Sequence, residues 1–296
     1  ERRTIMILRI LIMMLAVVTL TSPINAGVWD NLTSVFKKPI KKEEPSIRVL
    51  VTMDQNIMHV AVNGPFKAYD PLTGETILLS KLGKNAPMQV MDGGLKWSEE
   101  FPGVHQMLII PNSKETKICI NGSEYPGTVY VYDVENKLSA VNKVNVETYL
   151  TSILSNIEDE DAPDELLSAL AITARTNSCY LAEHPINSYW SIDGQTVGYH
   201  GNIDDSPVRP INKAIRDTKH MVLSKTGAYE GVVTPFLAHW RKAFDAMSQK
   251  RMGISSKITW TEAQNLANSG KNAAQLLNQA FPNTTIQLLH NAPINR

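Results

Sequence analysis

The sequence predicts an α+β protein with an antiparallel, β-rich N-terminal part, a central helical segment and helices at the C-terminal end. Short apolar runs separated by turn residues, spaced by about eight to twelve positions, continue to about residue 145. From Pro163 onward, apolar residues recur at helical spacing, and an Ala- and Leu-rich stretch follows at 261–281. The 296 residues are 43% hydrophobic and 20% charged, which is typical of a globular chain and excludes a disordered one.

The β-rich part is predicted from individual runs. Residues 47–51 and 58–62 are β-like, and His59 alternates outward within the second run, which indicates a surface position. Asn63-Gly64 and Thr73-Gly74 are turn signals. The further strands are expected at 107–110, 117–120, 128–132 and 138–141.

A helix is predicted from Pro163 to about Glu183, ending before Pro185. Proline suits the first helical turn, where its missing N–H has no partner, and acidic residues there complement the helix dipole. One face of this helix is apolar: Leu166, Leu167, Leu170, Ala171 and Ala174. A loop is expected at 185–210, a short helix and strands at 211–240, and two short helices at 261–281.

The N-terminal segment is expected to lie outside the fold. Arg2 and Arg3 precede a mostly apolar run to Leu20, and small or polar residues follow to position 26. This pattern predicts a signal peptide over 1–26, with an uncleaved anchor as the alternative. Residues 27–45 are interpreted as a linker, and 46–290 as one domain. Either reading places the domain beyond the cytoplasmic membrane, in the periplasm or cell envelope.

Charge and motifs exclude several classes of function. The 29 basic and 29 acidic residues balance, so no basic surface for nucleic acid is expected. Cys119 and Cys179 are too few for a four-cysteine zinc site; they either pair in an oxidising compartment or stay buried and free. The sequence contains no G-x-S-x-G elbow, P-loop or H-E-x-x-H helix. No metal and no cofactor are therefore expected.

Residues 145–176 carry a recognisable pattern. Val146-Glu147-Thr148-Tyr149-Leu150 is followed by Pro163 and by Ala174-Arg175-Thr176. This order and spacing resemble the stage II sporulation protein D family (SpoIID), which also covers the amidase-enhancer LytB domain. Weaker similarity at 47–49, 121–127, 138–142, 270–277 and 281–283 extends the resemblance over about residues 46–287.

The resemblance implies a peptidoglycan lytic transglycosylase that cuts glycan strands, preferably ones stripped of stem peptides. In that family one glutamate, in a P-S-E-M stretch ahead of the proline-led helix, is expected to be the catalyst. As an acid it protonates the glycosidic oxygen; as a carboxylate it then deprotonates the 6-hydroxyl of the sugar, which closes a 1,6-anhydro ring.

The sequence departs from the family at this glutamate. The gapless register places Ile157 there, and Glu158 follows within a run of acids that extends to Asp161. A one-residue slip makes Glu158 the candidate catalyst, and its apolar and acidic neighbours would favour the protonated carboxyl. The alternatives are another acid of the run as the catalyst, a solvated acidic loop, and a non-catalytic glycan-binding protein that recruits or stimulates a cell-wall amidase.

Five residues are candidates for substrate binding by the same resemblance. In one interpretation Arg175 has a functional role and anchors the catalytic loop or a sugar carboxylate. In the other, its side chain extends along the edge of the core. Tyr149 either stacks on a sugar or packs in the core. The other three match remnants of family motifs: Asp193, Tyr199 and His239. Gly253 is the one residue retained from a glycine-rich stretch.

Overall fold

The computed structural model describes residues 44–155, 161–201, 206–225, 233–241 and 253–289. Strands come first: β1 (Ser46–Gln55), β2 (Ile57–Asn63), β3 (Phe66–Tyr69), β4 (Thr76–Ser80), β5 (Lys84–Met91), β6 (Gly94–Trp97), β7 (Glu99–Pro102), β8 (Gln106–Pro111), β9 (Lys117–Ile120), β10 (Ser123–Tyr125), β11 (Thr128–Val134) and β12 (Lys137–Asn145).

Helices and short strands follow: α1 (Val146–Leu154), α2 (Asp164–Glu183), β13 (Ile192–Asp193), α3 (Gly194–Val197), α4 (Pro210–Asp217), β14 (Met221–Lys225), β15 (Ala238–Arg241), β16 (Ile254–Thr259), α5 (Trp260–Asn268), α6 (Ala273–Ala280) and β17 (Thr284–Leu288). The predicted α+β class and the order of its parts are therefore confirmed.

Two sheets build the N-terminal part. A seven-stranded sheet has the order β13-β1-β12-β11-β8-β3-β4, and a six-stranded sheet has the order β10-β9-β2-β5-β6-β7. Alternate side chains of both sheets point into one shared core, which includes Val49, Val60 and Trp97 at zero exposure. The Trp97 Nε1–H donates to the Val60 carbonyl at 3.2 Å, so the buried indole is satisfied. His59 faces outward and is exposed, as predicted.

Helix α2 is the centre of the second half of the domain. One side packs with α1 and α4 around Leu150, Leu167 and Ile215. Another side packs against β14–β16 and the last two helices around Leu166 and Phe281. The predicted helix from Pro163 to Glu183 is confirmed, with Pro163 just before its first residue. The two C-terminal helices are confirmed as α5 and α6.

Helix α1 was not predicted from the sequence: the β-rich part was expected to end at about residue 145 and the next helix to begin at Pro163. Val146, Thr148, Thr151 and Ile153 are β-branched, which lowers helix propensity. The helix begins because the Asn145 side chain accepts a hydrogen bond from the Glu147 N–H at 2.8 Å. The sequence also missed several short strands: β3–β7, β10, β13, β16 and β17. Strand β13 and the short helix α3 lie within the loop that was expected at 185–210.

The predicted signal peptide or anchor, residues 1–26, lies outside the described residues, as does the linker up to residue 43. In the part of the chain that is described, no helix combines the length and apolar character needed to span a membrane. Cys119 and Cys179 are both free thiols, and Cys179 is buried. Burial raises the pKa of the Cys179 thiol to about 12, which disfavours the reactive thiolate.

Candidate functional site

The Glu147–Arg175 ion pair joins the two helices of the recognisable segment. Glu147 lies in the first turn of α1, and Arg175 lies in the middle of α2. The Arg175 Nε donates to Glu147 Oε1 at 2.8 Å, and Nη2 donates to Oε2 at 2.8 Å. This bidentate geometry is the strongest form of a carboxylate–guanidinium contact. The carboxylate that lies against Arg175 is therefore Glu147, a role that sequence reasoning missed.

The remaining N–H groups of Arg175 are also used. Nη2 donates to the Ile215 carbonyl at 3.0 Å, and Nη1 donates to the Met221 carbonyl at 3.2 Å and to Thr218 Oγ1 at 3.4 Å. A guanidinium has five N–H groups, and these contacts account for them. Because Arg175 is 0% exposed, it neither extends along the core edge nor offers a donor to a sugar carboxylate. The buried Arg175 side chain therefore links α2 to α1 and to the end of α4.

The two helices that the Glu147–Arg175 ion pair joins flank the segment that carries the candidate catalyst. Residues 156–160, including Ile157 and Glu158, lie outside the described residues. On one side, the Ser155 carbonyl at the end of α1 accepts a hydrogen bond from Arg209 Nη2 at 2.7 Å. On the other side, Ala162 is buried at 7% exposure just before α2. The ion pair therefore fixes the two helices that lead into and out of this segment.

Tyr149 and Tyr199 lie inside the core, at 2% and 3% exposure. Their ring centroids are 5.5 Å apart, and the Tyr199 hydroxyl donates to Asn142 Oδ1. Burial raises the pKa of both phenols. For Tyr149 the structure selects the core alternative. For Tyr199 the predicted sugar contact is corrected to a core hydrogen bond, because neither ring is open to a ligand.

Replacing Tyr199 with phenylalanine tests this core role. The change leaves Asn142 Oδ1 buried without the hydroxyl that it accepts from, while Asn142 Nδ2 keeps its bonds to the Pro126 and Thr128 carbonyls. We expect the free energy of unfolding to fall by about 1–3 kcal/mol in a urea titration. Tyr189→Phe, at a tyrosine that is 39% exposed, is the matched control and should change little. Equal effects of the two changes would contradict the assignment.

Asp193 has a local structural role. It ends β13, and its Oδ1 accepts a hydrogen bond from the Gln195 N–H at 2.9 Å, which caps the short helix α3. The strand pairs in parallel with β1, where Asp193 lies opposite Leu50. The loop that matched the family motif is therefore an edge addition to the seven-stranded sheet.

His239 lies on a different side of α2 from Arg175. It belongs to β15, whose neighbouring Trp240 donates through Nε1 to Thr173 Oγ1 at 3.0 Å. Thr173 and Arg175 are two positions apart on α2, so they point to opposite sides of the helix. The five predicted binding residues therefore do not line one cleft.

Gly253, the residue retained from the family's glycine-rich stretch, packs against His239 and is required there for steric reasons. Gly253 has φ +126°, and a Cβ atom there would lie 2.5 Å from the Leu237 carbonyl oxygen and 3.0 Å from the His239 ring. Only glycine fits this close approach without displacing β15. The residue is therefore needed for packing, which is separate from any contact with substrate.

A polar groove lies between α1 and α4 and was not foreseen from the sequence. It encloses a pocket of about 380 Å³. Its walls are formed by Glu147, Thr148, Thr151, Asn212, Ile215, Arg216 and Lys219. Elsewhere, within the described ranges, no group of three or more His, Cys, Asp or Glu side chains is placed to hold a metal ion.

The pattern that resembles SpoIID lies in the two helices that follow the β-rich part, and these helices are joined by the pair of the half-buried Glu147 with the buried Arg175. The family model described as stage II sporulation protein, SpoIID, matches residues 134–224, from the end of β11 to β14. The match confirms the resemblance over residues 134–224, where the chain carries a divergent SpoIID segment. The weaker similarity that extends the resemblance to about residues 46–287 lies partly beyond this match and stays a prediction.

Three relatives, all described as uncharacterized proteins, are similar to this chain. One from Chlamydia muridarum is 32% identical over 193 residues, 64% of this chain and 65% of the relative. One from Chlamydia pneumoniae is 31% identical over 57% of this chain and 62% of the relative. One from Brachyspira hyodysenteriae is 31% identical over 45% of this chain and 36% of the relative. The chain thus spans less than two thirds of each relative.

Proposed function

We propose that this protein is a peptidoglycan lytic transglycosylase that cleaves peptide-stripped glycan strands in the cell envelope. The SpoIID segment at 134–224 indicates a role related to the cell wall, and it is the observation on which the proposal rests. That segment contains both members of the Glu147–Arg175 pair and the acidic run from Glu158 to Asp161.

In the proposed reaction Glu158 is the acid and then the base. Its carboxyl gives a proton to the glycosidic oxygen as the bond to C1 breaks, and the resulting carboxylate takes the proton of the 6-hydroxyl. The sugar's own O6 then bonds to C1, so a 1,6-anhydro end forms and no water is consumed. A single group with suitable protonation can perform both transfers.

Arg175 supports this reaction as a positioning residue. Proton transfer needs a carboxyl held within hydrogen-bond reach of the glycosidic oxygen, so small displacements of the helices beside it reduce the rate. Arg175 ties α1 to α2 on either side of the catalytic segment through a bidentate contact at 2.8 Å. This role agrees with a side chain that is fully buried and that makes no contact with solvent.

The test is a digestion of purified, peptide-stripped glycan strands by the protein, with products identified by mass spectrometry. We expect 1,6-anhydro ends and a loss of chain length. Hydrolysis to ordinary reducing ends, or no cleavage at all, would contradict a transglycosylase. Peptide-bearing strands serve as the matched substrate and should be cut more slowly.

Ile157 favours a second candidate function. In the gapless register it stands where the family has its glutamate, so the alternative is a non-catalytic protein that binds glycan and recruits or stimulates a cell-wall amidase. That candidate predicts binding to strands without anhydro products, together with faster peptide removal when an amidase is added. In both cases the proposed location is the periplasm or envelope, reached through residues 1–26 as signal peptide or anchor.

A further inference from the structure

The groove between α1 and α4 is formed by two antiparallel helices. The end of α1 contacts the start of α4 through the bond from Arg209 to the Ser155 carbonyl. The start of α1 is joined to the end of α4, because Arg175 binds Glu147, Thr218 and the Ile215 carbonyl together. The groove is thus fixed at both ends, and its volume of about 380 Å³ lies within the usual range of small-molecule sites.

The lining of the groove suits a polar, anionic ligand. Thr148 and Thr151 present hydroxyl-bearing side chains from α1, and Arg216 and Lys219 present cations from the other wall. The one carboxylate in the lining, Glu147, is already neutralised by the buried Arg175. The three charged side chains of the lining, those of Glu147, Arg216 and Lys219, therefore carry a net positive charge, and both cations are exposed to solvent.

A carboxylate already binds at the rim of this groove. Glu44 Oε1 lies 3.3 Å from Lys219 Nζ, and this contact lowers the pKa of the Glu44 carboxyl. The Lys219 and Glu44 side chains are 45% and 51% exposed. An exposed pair of this kind contributes little stability, so a carboxylate that enters the groove can replace Glu44 on Lys219.

We propose that this groove binds the free lactyl carboxylate of N-acetylmuramic acid on a peptide-stripped glycan strand, with Arg216 and Lys219 as its cationic partners. The inference deepens the proposed function and rests on it. While the stem peptide is attached, the lactyl group is an amide without charge and carries a bulky chain. Removal of the peptide exposes a carboxylate, so a cationic groove distinguishes the two states by charge and by size.

The experiment compares binding of two probes by isothermal titration calorimetry with the full chain. One probe is the peptide-stripped strand, and the other is the same strand with its lactyl carboxyls converted to methyl esters. We expect the wild type to bind the free acid about tenfold or more tightly, because the ester removes the charge-assisted hydrogen bonds. Arg216→Gln and Lys219→Gln, alone and combined, should remove this preference.

Lys213→Gln is the matched control, because Lys213 lies on the same helix and pairs with Asp217 at 2.6 Å, outside the groove lining. Loss of the preference in the double variant, with its retention in this control, supports the inference. Retention in the double variant overturns it and leaves the proposed function intact. A wild type that binds neither probe overturns both. A wild type that prefers the free acid but forms no anhydro ends overturns the transglycosylase alone.

Discussion

Arg175→Met is expected to lower the free energy of unfolding by about 3–5 kcal/mol, as judged by urea titration. The change removes the bidentate contact at 2.8 Å and leaves the Glu147 carboxylate facing an apolar side chain. It also leaves the carbonyls of Ile215 and Met221 without this donor. Arg175→Lys should be destabilising as well, because one ammonium group cannot replace a planar guanidinium that hydrogen-bonds to α1, α4 and β14 together.

A double-substitution cycle separates the ion pair from the other contacts. Glu147→Leu combined with Arg175→Met removes both charges, so it should recover part of the stability lost in Arg175→Met. Recovery should be incomplete, since the carbonyls of Ile215 and Met221 still lack the guanidinium. If Arg175→Met alone lowers the free energy of unfolding by less than about 1 kcal/mol, the central role of the Arg175 contacts is contradicted.

The parts of the fold that sequence reasoning predicted are those set by local patterns. Helix α2 has a proline start and an apolar face at helical spacing, both readable without knowledge of its neighbours. The strands that alternate clearly, such as β2 and β9, were predicted for the same reason. Helix α1 was missed because its β-branched residues oppose a helix, and burial of Tyr149 and Leu150 in two cores decides its structure instead.

The site residues show a similar division. The sequence pointed to Arg175, but its partner Glu147 lies 28 positions away, so only the packing of α1 on α2 shows the pair. Tyr149 and Tyr199 carry a ring and a hydroxyl that suit either a sugar or a core. Which of these applies depends on exposure, and exposure depends on the sheets that cover both rings.

Glu158→Gln tests the proposed catalyst and has the largest expected effect on activity. The change keeps the size of the side chain and removes its titratable proton. Formation of 1,6-anhydro ends on stripped strands should fall by about 10²–10⁴-fold, which is the usual contribution of a positioned general acid–base group. Binding of the strands should persist, because Arg216 and Lys219 in the groove are unchanged and an amide still forms hydrogen bonds.

Glu160→Gln is the matched control, since it removes a carboxyl from the same acidic run and should change the rate much less. If Glu158→Gln leaves anhydro formation unchanged, the assignment of Glu158 is wrong. If the parent protein binds strands without cleaving them, the gapless register holds, and Ile157 marks the lost position. In that case Ile157→Glu is the decisive variant. A carboxyl restored between the two helices tied by Arg175 should bring back measurable cleavage, because the helices that position it are still in place.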